Sequence, residues 1–91
     1  MKQKSKKIER LLAENLRRER KERGLTRKEL ARKAGNIQEA VIVKTESMIS
    51  FPTAKNLARI ARALGVEPFE LLMPEADLKL LRAVKGTIRA M

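Results

Sequence analysis

Apolar residues recur every three to four positions through most of the chain. Ile8, Leu12 and Leu16 stand four apart with Leu11 beside them, which is the spacing of one helix face. This predicts a first helix from about Lys7 to Arg23. Gly24 can take the left-handed conformation that ends it. Thr26 and Glu29 then form T-x-x-E, a capping box that opens a second helix over about Arg27–Ala34. Leu30 and Ala31 lie on one face of that helix, with Arg27, Lys28, Arg32 and Lys33 largely outside it. Gly35-Asn36 ends it.

The segment Ile37–Glu46, IQEAVIVKTE, is ambiguous. Val41, Ile42, Val43 and Thr45 are β-branched and favour a strand locally. Yet Ile42 and Glu46 share a helical face, and clear helices flank the segment. A helix over 38–46 is predicted, with a short strand that hairpins through Ser47 as the alternative. Ser47–Pro52 reads as a loop. Thr53 can cap a fourth helix, Ala54–Leu64, whose apolar stripe is Leu57, Ala58, Ile60, Ala61 and Leu64, and Gly65 stops it. Pro68 suits the first turn of a short fifth helix, Pro68–Leu72, and Pro74 breaks the chain again. Residues 75–90 form a last helix with Leu78, Leu81, Val84 and Ile88 on one side. Gly86 weakens its end by roughly 1 kcal/mol relative to Ala. No segment alternates as a strand should, so the fold class is all-α. Residues 1–7 are read as a basic flexible tail, 8–73 as the domain, and 74–91 as a C-terminal helix that either dimerises or packs back on its own domain.

Charge sharpens this outline. Of 91 residues 22 are Lys or Arg and 11 are Asp or Glu, a formal net charge of +11. Residues 1–33 hold 14 cations against 5 glutamates (+9), and residues 34–91 hold 8 against 6 (+2). Such polarity suits a polyanion, nucleic acid above all. The competing explanation is the lysine- and arginine-rich surface of a thermophile protein. With no Trp or Tyr and two Phe, stacking platforms for single strands are poorly provided, which favours a duplex. The chain has no Cys and no His, which removes Cys/His metal sites and Cys or His catalysis. No carboxylates are visibly paired and no Gly-rich phosphate loop occurs, so no enzyme activity, cofactor or metal is expected. No run approaches a membrane span and no apolar stretch follows the charged N-terminus. A cytoplasmic location fits the missing cysteines.

Two short helices joined by Gly-Leu in a basic setting suggest a helix-turn-helix. From Leu12 to Leu72 the chain resembles the Cro and lambda-repressor-like, or xenobiotic-response-element, family. The family pattern I-R-x-x-R-x-x-x-G-L-T-Q-x-x-L-A is matched by Leu16, Arg17, Arg20, Gly24, Leu25, Thr26, Leu30 and Ala31. Glu46, Pro52 and the block NLARIARALGV (Asn56–Val66) match the remainder. The resemblance implies a five-helix lambda-repressor-like domain, here with an additional C-terminal helix. It also implies a homodimer that binds double-stranded DNA as a transcriptional regulator, commonly a repressor. Its recognition helix would be 38–46. It implies a core ion pair, Arg20 with Glu46. Each lies at the inner edge of its helix, where a partly buried charge needs a partner; the alternative is two separately solvated charges.

The departures from the pattern gather where DNA would be read. Arg27 replaces the usual Gln and could hold a phosphate with Lys28. One extra residue falls between Gly35 and Glu46, placed at Asn36, which leaves Ile37 and Ile42 in core positions. Thr45 stands where an aliphatic residue is usual. The DNA-facing residues would then be Gln38, Glu39, Ala40, Val43 and Lys44. Lys44 can donate to phosphate or guanine, Glu39 can accept from cytosine, and Ala40 and Val43 can touch thymine methyls. The loop SMISF offers Met48, Ile49 and Phe51 and no cation. With Val43, these side chains fill the core or a dimer contact, form an apolar patch for a protein partner, or read thymine methyls. A protein-interaction module on the same scaffold is therefore the second reading. AVIVKTES resembles the third-helix pattern of the multiprotein-bridging-factor group, and an antitoxin that represses its own promoter lies between the two.

Overall fold

The computed structural model describes residues 6–90, with side chains described through Thr87. It contains α1 (Lys6–Glu22), α2 (Arg27–Lys33), α3 (Glu39–Glu46), α4 (Ala54–Leu64), a 3-10 turn (Pro68–Leu72) and α5 (Glu75–Ala90). Among the described residues there is no strand. The short fifth helix is thus a 3-10 element. The basic tail expected at 1–7 falls mostly outside the described residues, while Lys6 and Lys7 form the first turn of α1. No described helix is long and apolar enough to cross a membrane.

The core joins the inward faces of α1, α2, α3 and α4. Leu12 and Leu16 of α1, Leu30, Ala31 and Ala34 at α2, Ile42 of α3, and Leu57, Ile60, Ala61, Ala63 and Leu64 of α4 pack together, closed by Leu71 of the 3-10 turn. Two stripe residues behave otherwise. Ile8 lies beyond the packed part of α1 and is 45% exposed. Ala58 faces solvent, and Ala63 is buried in the stripe instead.

The local signals act as the sequence suggests. Thr26 Oγ1 accepts from Glu29 N at 3.0 Å while Glu29 Oε1 accepts from Thr26 N at 2.8 Å. The bond from the Thr26 backbone, aided by the Thr26 hydroxyl, holds the Glu29 carboxyl below its usual range. Gly24, with φ +67°, closes α1 through Leu25 N donating to Arg20 O and Gly24 N to Lys21 O. The β-branched run at 41–45 is helical after all. Ile42 is fully buried, worth roughly 1.5–3 kcal/mol, which outweighs the small local cost of β-branching. Thr45 is also buried, and its hydroxyl donates to Val41 O at 2.7 Å, so the unusual core hydroxyl is satisfied. The turn into α3 carries two consecutive left-handed residues, Gly35 (φ +95°) and Asn36 (φ +58°). Ile37, which follows the turn, packs against the core.

Candidate nucleic-acid interface

The period of α3 divides it cleanly. Ile42, Thr45 and Glu46 are buried, while Glu39, Ala40, Val43 and Lys44 are exposed, with Gln38 exposed at the N-cap. The residues expected to read DNA thus share one accessible face.

The inner side is anchored on Glu46, whose side chain is fully buried. Arg20 forms a fork on it, with Nε to Oε2 at 2.7 Å and Nη2 to Oε1 at 3.1 Å. Arg20 Nη1 also donates to Leu25 O at 2.8 Å, tying the α1–α2 turn to the same group. Arg27 Nε reaches Oε1 at 3.0 Å. Arg17 donates to the Glu46 carbonyl at 3.2 Å, a favourable place for a cation because the C-terminal carbonyls of α3 lack helical partners. A buried carboxylate is tolerable only with such charge-assisted bonds. Here they fix the end of α3 against α1 and α2. Arg27 is therefore committed inward through Nε, although its side chain stays 42% exposed. Lys28 and Lys44 are exposed and have no carboxylate within 4 Å among the described residues.

A groove of about 220 Å³ runs between α3 and the start of α4, with Gln38, Ala40 and Lys44 on one wall and Ser50, Phe51 and Asn56 on the other. Ser50 and Asn56 were not singled out from the sequence. The signal was available, because a short loop before the capped Thr53 must bring the α4 start beside α3. The apolar loop does not fill the core. Ile49 is 69% exposed, Phe51 44% and Val43 37%, and Met48 is half-buried. Met48 holds the left-handed position (φ +60°) that closes α3, where Gly24 and Gly65 serve α1 and α4.

The candidate interface on α5 is divided. Leu78 is buried within its own protomer at 1% exposure, so it is part of the domain rather than a free surface. Leu81 is half-buried and Val84 exposed; Ile88 lies outside the described side chains. Leu80, on the other flank, is 66% exposed. A polar network unseen in the sequence holds the start of α5. Asn15 donates to Leu71 O at 2.9 Å and Met73 O at 2.7 Å. The buried Glu19 accepts from Arg23 at 2.7 Å and from Arg82 at 3.1 Å. Burial alone would raise the Glu19 carboxyl, but the bonds from Arg23 and Arg82 outweigh it and hold the group below its usual range. The Glu19–Arg23 pair has readable i,i+4 spacing; Arg82 lies 63 positions away.

The Helix-turn-helix family model matches residues 16–71. No curated protein matches the sequence. The structure is similar to the crystal structure of a hypothetical transcription factor, NHTF, from Neisseria, with a TM-score of 0.72 and 32% identity over 80% of this chain and 84% of that one. The match runs from the second part of α1 through α2, α3 and α4 into the 3-10 turn, around the Arg20–Glu46 clamp, and the chain belongs to the Cro and lambda-repressor-like helix-turn-helix family.

Proposed function

We propose that the protein is a sequence-specific double-stranded DNA-binding regulator of transcription, acting as a homodimeric repressor. The observation that carries this reading is the outward face of α3. Gln38, Glu39, Ala40, Val43 and Lys44 are presented together on a helix whose inner end is clamped by buried charge. A rigid helix of this width suits the major groove. Lys28 and Lys44 supply phosphate or guanine contacts, and the exposed part of Arg27 adds a third cation at the start of α2. Gln38 can pair with adenine, and Ala40 and Val43 offer apolar contact to thymine methyls. Glu39 has a second use in the first turn of α3, where a carboxylate complements the helix N-terminus. A homodimer would place two such helices one helical turn apart on a palindrome, with the outer part of α5 as the joining element. Selection of bound duplexes from a random pool tests this directly. An enriched palindrome is expected. Tight, salt-sensitive binding with no enriched sequence would reject sequence-specific regulation.

The exposed Ile49 and Phe51 favour one second reading, a protein-interaction module that docks a partner beside α3. Replacing both with Ser separates the two. Unchanged DNA selection and affinity would assign them to a partner, whereas altered preference at A·T pairs would place them in the DNA contact.

A further inference from the structure

A second concavity, of about 200 Å³, opens on the molecule where the end of α2 meets α4. Its lining is Lys33, Ala34 and Gly35 from the α2 end and Arg59 and Arg62 from α4, and it shares no residue with α3. Three cations therefore surround one hollow. Lys33, Arg59 and Arg62 are all exposed, and none has a carboxylate within 4 Å among the described residues. This contrasts with α1, where Arg17, Arg18, Arg20 and Arg23 all reach Glu19 or Glu46.

The α4 sequence deepens the contrast. AKNLARIARAL contains no acidic residue, and Lys55, Arg59 and Arg62 stand at i, i+4 and i+7 on one exposed face. Like charges at that spacing destabilise a helix by a few tenths of a kcal/mol per pair. The repulsion rises when Lys33 is added from a second element. The Arg59 stem lies over Gly35, its Cδ 4.0 Å from where a Cβ would stand. The guanidinium stem and the glycine turn are thus neighbours at the rim of the hollow. An arrangement that gathers planar guanidinium forks and an ammonium around open space, with no carboxylate within 4 Å among the described residues, suits an oxyanion bearing two or more charges.

We propose that the Lys33–Arg59–Arg62 hollow is a phosphate-binding site, separate from the recognition helix. The phosphate is carried either by a small phosphorylated molecule or by the backbone of bound DNA, and the chemistry of recognition is the same for both. The site adjoins the Gly35–Asn36 turn that leads into α3, so an occupant would brace the entry to the recognition helix.

Pyrophosphate is the probe for the free ligand, added to the full chain at constant ionic strength and followed by amide chemical shifts. Saturable shifts centred on Gly35, Arg59 and Arg62 are expected, with half-saturation on the order of 1 mM or below. Arg59→Gln/Arg62→Gln should weaken this by about tenfold or more, because two charge-assisted contacts are removed. Both residues are solvent-exposed, so the variant keeps its core, which circular dichroism verifies. A parallel arm measures the salt dependence of duplex binding. If DNA supplies the phosphates, the double variant loses about 1.8 from the slope of log K against log salt per chain. Pyrophosphate binding with an unchanged slope assigns the site to a small phosphorylated ligand. A shallower slope without pyrophosphate binding assigns it to the DNA backbone. Shifts that persist undiminished in the double variant, or the absence of both effects, overturn the proposal. The pyrophosphate arm does not require DNA binding, so its failure is distinguishable from failure of the regulatory reading.

Discussion

At the residue scale, Glu46 is the group on which the placement of α3 depends, and its contacts are unequal. Arg20 gives two charge-assisted bonds from a side chain 8% exposed, whereas Arg27 gives one from a side chain 42% exposed. Glu46→Ala strands a buried guanidinium and should destabilise the domain by about 3 kcal/mol. Arg20→Ala leaves Glu46 with Arg27 still in place, so its cost should be somewhat smaller, about 2–3 kcal/mol. Arg27→Ala should cost below about 1 kcal/mol, as a partly solvated pair does. Double-mutant cycles by chemical denaturation check the order, and equal coupling of Arg20 and Arg27 to Glu46 would show that burial does not rank them. Glu19 adds a pH dependence whose sign is fixed. Its carboxyl is held low in the folded protein, so it binds fewer protons than the unfolded chain. Its stabilising contribution is present above the ordinary glutamate range near about 4.3 and is lost as pH falls through the lowered value. Glu19→Gln should therefore lower the urea midpoint at pH 7, and the difference from the parent should shrink as pH falls into the acid range. An equal penalty at neutral and acid pH would mean that hydrogen bonding, not charge, holds Arg23 and Arg82. Arg20 with Glu46 was legible from family positions. The inward turn of Arg27 was not, because a cation at a helix start is equally suited to a phosphate and to a neighbouring carboxylate.

At the element scale, helix ends were the most readable feature and helix partners the least. Thr26, Gly24, Thr53 and Gly65 act on their own neighbours, so their spacing reveals them. The helical state of α3 rested instead on a contest between β-branched propensity and burial of Ile42, which only the packed core decides. The turn at Gly35-Asn36 is left-handed at both positions, a backbone that is inexpensive for Gly and Asn. What covers α5 depends on distant partners. Its start is fastened by Leu78 and by Arg82 bridging Glu19 and Glu70. Leu80, between these anchors, and Val84, beyond them, are exposed, on a helix of 16 residues, near the length at which an isolated helix is marginal in water. If this exposed flank joins two copies, Leu80→Ser/Val84→Ser should convert a dimer to a monomer in sedimentation while leaving the unfolding midpoint of the monomer domain nearly unchanged. A parent that sediments as a monomer at micromolar concentration with bound duplex would reject α5 as the joining element.

At the scale of the whole molecule, net charge overstates what is available to a polyanion. The sequence places its excess cations in residues 1–33, yet Arg17, Arg18, Arg20, Arg23 and Arg27 are paired with Glu19, Glu46 or Glu75. Those charges organise the domain. The cations we propose to face phosphate are fewer, led by Lys28 and Lys44, and Lys2 and Lys4, which precede α1 in the sequence, are proposed to add to them. Counterion release converts such a count into a measurable slope. If about six phosphates are neutralised, log K against log salt should fall with a slope near −5. Lys28→Gln should make it shallower by about 0.9 per chain and weaken all duplexes alike, as a phosphate contact does. Lys44→Gln discriminates between two roles on α3. As a phosphate contact it behaves like Lys28→Gln, but as a guanine reader it relaxes one position of the preferred sequence at a cost of about 1–3 kcal/mol. Deleting residues 1–5 should flatten the slope while the selected sequence stays the same. An unchanged slope after that deletion would remove Lys2 and Lys4 from the interface and leave the folded domain to supply every contact.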